Sequence, residues 1–495
     1  MGTAGRVGIG THYLRYAASN LLVLAAGFVS FPITTRLLDN HEFGVLAYFD
    51  TWALLLAGLL KLGAGEAMMR FYPHGGDRDA LARFGTHFVL LPMALGLGAW
   101  ALLFLGLLVA RGTGVDGVSG AMLLAMATVP LTLCSSHVMW VMTVRERSDL
   151  SSATFVIWRW LEVGAVITVI VFVLRSASGA YVGRLVAGAL VVAWLLKWLR
   201  DSTPFARGAL DRPYALEGLR YGVPMALNEV ASVILGLIDR VMLKQILADY
   251  APVGIYTIGF ALASYLNVLL STAINKAFTP AASRVFISEG ADAVRALKRQ
   301  VLRPLVYGSA GICAGLWLGG ADFILFVSGA SKAASAPVFV LVGICFALYS
   351  ILTVAGYGLL LEKRSRLVFA LTAGCAAANI ALNLVLIPRY GFMGAAWATS
   401  SSYLGLGLLL YAFCPAPLRC APDIGVALRA AGAALACVAL GKILGIATFD
   451  SVFARLLAAA ACVVVAYAGP VIATDAVMRG QVRAWFVRPR LAGAE

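Results

Sequence analysis

Along the chain, long apolar runs alternate with short polar breaks. Runs of about 20 residues recur from end to end, enough to cross a hydrocarbon core of roughly 30 Å at about 1.5 Å per residue. About fourteen lie near 14–38, 43–62, 86–110, 119–144, 151–174, 178–199, 218–245, 252–275, 301–326, 335–361, 366–388, 391–413, 423–442 and 451–477. No break between them is long enough for a folded extramembrane domain. The pattern predicts an all-α polytopic membrane protein with about 14 transmembrane helices, acting inside or at the faces of a bilayer.

Composition agrees with the pattern. The chain is 61% hydrophobic and 13% charged, with mean hydropathy +0.88, whereas soluble proteins are roughly half apolar and about a quarter charged. The net charge of +15 would suggest nucleic acid in a soluble protein. Here the cations are sorted by break. With the N-terminus inside, inner breaks carry Arg70, Arg78, Arg83, Arg145, Arg147, Arg200, Arg295, Lys298, Lys363, Arg364, Arg479 and Arg483, among others. Outer breaks carry little beyond Arg36, Arg111, Arg175, Lys332, Arg389 and Lys442. Cytoplasmic enrichment of Lys and Arg therefore accounts for most of the charge without nucleic acid, and predicts both termini on the cytoplasmic side.

A division falls after the sixth run, at DSTPFARGALDRPYALEGLR (201–220). On either side, FGVLAYFDTWALLLAGLLKLGAGEAMMRFYP and VGIYTIGFALASYLNVLLSTAINKAFTP each open on an apolar residue and Gly. Each closes on a cation, an aromatic and Pro (Arg70, Phe71, Pro73; Lys276, Phe278, Pro280). Six spans per half leave the halves in one orientation, a parallel repeat of the kind found in transporters. The expected organisation is a six-helix lobe over 1–200, a cytoplasmic linker over 201–217, a second six-helix lobe over 218–415, and two extra helices with a cytoplasmic tail over 416–495.

Ionisable residues within apolar runs are functional candidates, since each costs roughly 2.5–3.5 kcal/mol at a helix centre. They are Asp50, Arg159, Glu162, Arg184, Glu229, Asp239, Arg240 and Lys244. Arg159 and Glu162 share a helix face, as a local ion pair or with Arg159 on a central cavity. Glu229 follows Asn228 just over a turn beyond Pro224, where a bend frees a backbone carbonyl; the pair could bind a coupling cation or hold helices together. Asp50 is similar but shallower, where interfacial hydration would suffice. Arg184 lies near a helix end and can snorkel. In GLIDRVMLKQ (236–245), Asp239, Arg240 and Lys244 stand where a helix leaves the bilayer. They read as interface anchors, or as a patch for an anionic headgroup with Asp239 as counter-ion. Arg15, Lys61, Arg70, Arg220, Lys276 and Arg284 stand at inner helix ends, and a subset could converge on a vestibule. Gly311, Gly315 and Gly319 form a small-residue ladder for close helix packing.

Other chemistry is not indicated. The eight Cys contain no C-x-x-C pair, and the five His are scattered without metal spacing. RFYPHGGDR lacks the phosphate-loop pattern. No cofactor and no catalytic constellation are expected, and the chain is not expected to be an enzyme.

These residues together resemble a family. FPITTRLLDNHEFGVLAYFDTWALLLAGLLKLGAGEAMMRFYP carries Pro32, Thr35, Arg36, Leu37, Leu38, Phe43, Gly44, Arg70 and Phe71. LIDRVMLKQIL and VGIYTIGFALASYLN follow in the second half, and NLVLIPRYGFMGAAWAT carries Asn383, Pro388, Gly391, Gly394, Ala395 and Ala396. Over about residues 10–415 the order and spacing are similar to polysaccharide-biosynthesis flippases of the multidrug/oligosaccharidyl-lipid/polysaccharide exporter superfamily. The resemblance implies two six-helix lobes around a central cavity, and alternating access. It also implies a cargo of oligosaccharide on a polyprenyl pyrophosphate, moved outward across a bacterial inner membrane for surface polysaccharide synthesis. Other polysaccharide-assembly membrane proteins are the partners such a role would bring. Arg suits the phosphate through its planar fork, which makes Arg36, Arg70 and Arg240 candidates. With Arg159, Lys244 and Lys276 they form the expected substrate-binding set; Glu229, Asp50 and Asp239 form the expected ion-coupling set. The other reading is a Na⁺- or H⁺-coupled multidrug exporter of the same superfamily, for which Glu229 and Asp50 would matter most.

Overall fold

Each apolar run needs a start signal, because the first N–H groups of a helix lack intrahelical partners. Short polar side chains supply it. Asp39 accepts from the N–H of Glu42, Ser119 from Met122, Ser176 from Gly179, Asp211 from Tyr214 and Ser451 from Ala454. In the computed structural model, which describes residues 9–75, 77–115, 117–206, 211–273 and 278–487, these caps open helices; among the described residues there is no strand.

Ten helices come first: α1 (Ile9–Leu37), α2 (Asn40–Leu60), α3 (Ala64–Phe71), α4 (Arg78–Phe84), α5 (Leu91–Gly112), α6 (Gly120–Ala127), α7 (Val129–Val144), α8 (Ser148–Phe172), α9 (Ala177–Ser202) and α10 (Arg212–Leu247). Ten follow: α11 (Ala251–Ala273), α12 (Thr279–Glu289), α13 (Ala291–Ser328), α14 (Ala336–Ala355), α15 (Ser365–Tyr390), α16 (Phe392–Ala412), α17 (Ile424–Ile443), α18 (Val452–Cys462), α19 (Gly469–Thr474) and α20 (Ala476–Val487). Among the described residues 11 helices, some built from consecutive segments, are long and apolar enough to cross a membrane. Three more of the expected spans coincide with α1, α10 and α16, which fall outside those eleven.

The chain divides into two compact units, Met1–Gly254 and Ile255–Glu495. In the first, α8 packs on α9 and α1, and α2 on α10, α6 and α7. In the second, α13 packs on α14, α17 and α18, and α16 on α14 and α15. This division lies later than the expected linker at 201–217 because α10 packs on α2 and α3. A lobe boundary at that linker is proposed on the repeat pattern rather than on packing.

Glycines set two features of the interior. The expected second span, 43–62, falls on α2, and the apolar helical stretch Asn40–Phe71 is interrupted where that span ends. It breaks at Leu62 and Gly63, both in the left-handed region at φ 54° and 63°. Gly63 there meets the backbone of Gly222 on α10 so closely that a Cβ would overlap its carbonyl. The glycine ladder packs as its spacing predicts: Gly311 lies against Tyr467, Gly315 against Val463 and Gly319 against Ala459.

Candidate functional sites in the first unit

Among the intramembrane charges of the first unit, Asp50, Arg159, Glu162, Arg184 and Glu229 fall into two groups. Arg184 on α9 donates to Asp50 on α2 at 2.6 Å and lies 3.5 Å from Glu162 on α8, which also pairs with Arg159 at 3.3 Å. The Tyr181 hydroxyl donates to Asp50 at 3.1 Å. Two carboxylates and two guanidiniums thus form one network across three helices, all four side chains about a fifth to a third exposed. Asp50, Glu162 and Arg184 line a cavity of about 210 Å³ with Thr128, Thr132 and Trp158. A carboxylate taken from water into a low-dielectric site must be paired, and Arg184, expected only to snorkel, supplies that pairing. Arg159 keeps its expected local pair with Glu162.

The second group sits at the break between α2 and α3. Lys61, which caps the C-terminus of α2, donates to Glu229 on α10 at 2.9 Å. Around them Gly63, Ala64, Gly65, Glu66, Ser136, His137 and Trp140 enclose about 240 Å³. The break exists because the left-handed pair stops α2, and the chain restarts as α3 with Gly63 as a cap that offers no side-chain acceptor. Gly65 lets the Trp140 indole lie against the new helix, since a Cβ there would overlap the ring.

The remaining candidates are dispersed. Arg36 closes α1 and is exposed. Arg70 is exposed, its guanidinium 4.5 Å from the centre of the Tyr221 ring and 5.7 Å from that of Phe71, a cation–π arrangement. Asp239 is fully buried beside the half-buried Arg240. Lys244 donates to the carbonyl of Ala248 at 3.1 Å and stands 4.7 Å from the centre of the Tyr250 ring. Lys276 lies outside the described residues. The network therefore joins Asp50 to Arg159, while Glu229 belongs to a separate cavity with Lys61. His137 belongs to no motif expected from the sequence. Nothing local marks these partners: Asp50 and Arg184 are 134 residues apart, Lys61 and Glu229 168.

In the second unit, Asp475 is fully buried and accepts two bonds from Arg303, at 2.9 and 2.7 Å, and one from the Tyr307 hydroxyl at 2.9 Å. Lys298 is buried and donates to the carbonyls of Ala355 and Leu418, a cation held by backbone. Among the described residues no group of His, Cys, Asp and Glu could hold a metal.

An all-helical chain with polar networks inside long apolar helices is a multi-span membrane protein. The model of the family described as polysaccharide biosynthesis protein matches residues 12–286, more than half of the chain, and the chain belongs to that family. Among solved structures it is similar to a lipid II flippase MurJ in an inward closed conformation, at TM-score 0.68 and 12% identity, covering 91% of this chain and 97% of that one. It is also similar to an inward-facing multidrug resistance MATE family transporter of the MOP superfamily, at TM-score 0.63 and 12% identity over 79% and 93%. An outward-facing conformation of such a transporter gives 0.54 and 12% over 82% and 95%. The fold is the one these transporters share. No curated protein matches the chain.

Proposed function

We propose that the protein moves a lipid-linked oligosaccharide, carried on a polyprenyl pyrophosphate, from the inner to the outer leaflet of a bacterial cytoplasmic membrane for surface polysaccharide assembly. Membership of the polysaccharide biosynthesis family carries this reading. The likeness in fold to a lipid II flippase over nearly the whole of both chains supports it. The cargo is amphiphilic. Its headgroup needs a polar path, and its tail can stay in lipid. Arg36, Arg70, Arg159, Arg240, Lys244 and Lys276 are the proposed phosphate contacts along that path, worked by alternating access with both termini in the cytoplasm. No covalent step is required of the protein.

A multidrug exporter is the second reading, favoured by the likeness to MATE transporters. It would couple to a cation at Asp50, Glu229 or Asp239. Against it, Asp50 already faces Arg184 and Glu229 already faces Lys61, so a coupling cation would have to displace a resident one. Proteoliposomes test the choice. A lipid-linked oligosaccharide is loaded on one leaflet, and its appearance on the other is followed with an impermeant glycosidase. The flippase reading expects protein-dependent cleavage above that with an unrelated membrane protein. Absence of cleavage, together with ion-driven efflux of small organic cations, would replace it with the exporter reading.

A further inference from the structure

A cavity of about 470 Å³ lies in the second unit, between α13 and the start of α17, with Arg299 and Arg303 of α13 in its wall. The sequence of α13 sets its depth. After Arg303 the next charge on the helix is Asp322. The uncharged stretch between them is about 27 Å long at about 1.5 Å per residue, close to the roughly 30 Å of a hydrocarbon core. Asp322 meets Arg455 at 2.7 Å at the far end. Arg303 therefore stands at one boundary of the core, and Arg299, a turn earlier, at headgroup depth. By the sorting of Lys and Arg, that boundary is the cytoplasmic one.

The two guanidiniums share a helix face, where like charges repel. Arg303 is fixed by Asp475, which accepts from its Nε and Nη2 at 2.9 and 2.7 Å, a pairing that leaves Nη1 out. Arg299 is exposed and, among the described residues, pairs with no carboxylate. Asp423 also lines the cavity, but its Oδ1 is occupied. It accepts from the N–H groups of Gly425 and Val426, at the end of α17 where the helix dipole offsets its charge. Arg429, which turns back to the carbonyl of Gly425 at 3.0 Å, adds a cation a turn further along the same helix. Three guanidiniums against Asp423 and Asp475 leave this end positive.

These charges narrow the ligand. Guanidiniums oppose a metal cation, and a neutral molecule leaves their charge uncompensated. A phosphate compensates it through the planar fork of Arg. A phosphate alone would leave the rest of the cavity without a role. Leu302, Val306 and Val426 form an apolar wall. Ile424, which lines the cavity too, is 75% exposed, and Leu428, a turn further along α17, is 68% exposed. Guanidiniums at headgroup depth, with apolar surface running from them toward the core, fit a phosphate that carries acyl chains.

We propose that this cavity is a resident-lipid site. It holds the phosphodiester of an anionic phospholipid of the cytoplasmic leaflet between Arg299 and Nη1 of Arg303, with the acyl chains along α17. The lipid is a constituent of the membrane, and the site holds it whichever cargo is moved.

Native mass spectrometry of the full-length protein in detergent, titrated with phosphatidylglycerol and with phosphatidylcholine, tests the site. Inorganic phosphate and a polyprenyl pyrophosphate serve as competitors. The wild type should retain at least one phosphatidylglycerol that phosphatidylcholine does not replace. Arg299→Gln should weaken that lipid about tenfold, the loss expected for one charged hydrogen bond, and Arg299→Lys should restore part of the binding. Arg200→Gln, which removes an exposed cation from the end of α9, should leave it unchanged. Ile424→Ser, on the exposed face of α17, should weaken it as well, and serves if Arg299→Gln is not monodisperse. Equal retention of the two lipids, or a loss in Arg299→Gln no greater than in Arg200→Gln, overturns the site. Displacement by inorganic phosphate would replace the lipid with a free phosphate. Tighter binding of the polyprenyl pyrophosphate in its place would overturn the resident lipid and make the cavity part of the cargo path.

Discussion

At the scale of single residues, buried charge divides into two kinds that should respond differently to mutation. Asp475 is structural. It is fully buried, holds Arg303 and Tyr307, and accepts from the N–H groups of Val477 and Met478. Breaking such a pair costs about 3–5 kcal/mol, so Asp475→Asn should lower the melting temperature in detergent by several degrees. Burial pushes this carboxyl up, and the N–H of Met478 with the Arg303 guanidinium more than reverse that, leaving it below its ordinary value. A carboxyl held below its unfolded pKa of about 3.9 stabilises the fold at neutral pH, and that contribution is lost as pH falls through about 4 and below. The gap in melting temperature between wild type and Asp475→Asn should therefore narrow in acid; a constant gap would mean the carboxylate's charge is irrelevant. Glu229 is the other kind. Its side chain is 41% exposed and its partner Lys61 23%, a setting where a pair adds only about 0–1 kcal/mol. Glu229→Gln should leave the melting temperature nearly unchanged while slowing translocation several-fold. A variant that loses stability but not rate would make the pair scaffolding. These two kinds look alike in the sequence. Asp50 and Glu229 stand out as charges in apolar runs, but Arg184 and Lys61 reach them only through folding.

At the scale of elements, the helices were legible and the cause of the break after the second span was not. Long apolar runs with Asp, Ser or Gly at their ends specify helices through a single physical demand, that backbone groups in lipid be satisfied within the segment. The break at Leu62–Gly63 falls inside LLKLGAGEA, which continues the apolar pattern. Only the close approach of Gly222 explains why the chain turns there. Close approach also explains the paired glycines at the starts of the two repeat segments. Gly44 and Gly254 meet each other, and a Cβ on either would overlap the backbone of Tyr250 or Asn40. Gly44→Val and Gly63→Ala should therefore fold poorly. Overpacking costs about 1–3 kcal/mol, and the left-handed backbone at Gly63 adds about 1–2 kcal/mol for a side chain. Gly98→Ala and Gly106→Ala, where nothing lies nearby, are the controls. The monodisperse fraction on size exclusion should drop for the first pair only; equal recovery of all four would show that these approaches tolerate a side chain.

At the scale of the whole molecule, the sorting of Lys and Arg by loop makes a prediction about sidedness. The expected topology places the breaks around 72–83, 145–148 and 362–366 in the cytoplasm, and those around 111–118, 248–250 and 445–451 outside. Single reporter cysteines can be read with a membrane-impermeant maleimide in intact cells. The native thiols interfere little: all eight are free, seven are buried, and Cys313 is half-buried. Asp79, Glu146 and Arg366 are exposed, as are Thr113, Asp249 and Asp450, so each accepts a reporter without entering a core. Asp79→Cys, Glu146→Cys and Arg366→Cys should label only after permeabilisation. Thr113→Cys, Asp249→Cys and Asp450→Cys should label in intact cells. The reverse pattern would invert the protein and put the Lys61–Glu229 cavity at the outer end of its helix, where cargo leaves rather than loads. Mixed labelling within either set would show that the number of crossings between those sites is wrong. The helices α10 and α16 are the places to look, because they lie between reporter sites and are expected spans that fall outside the eleven long apolar helices.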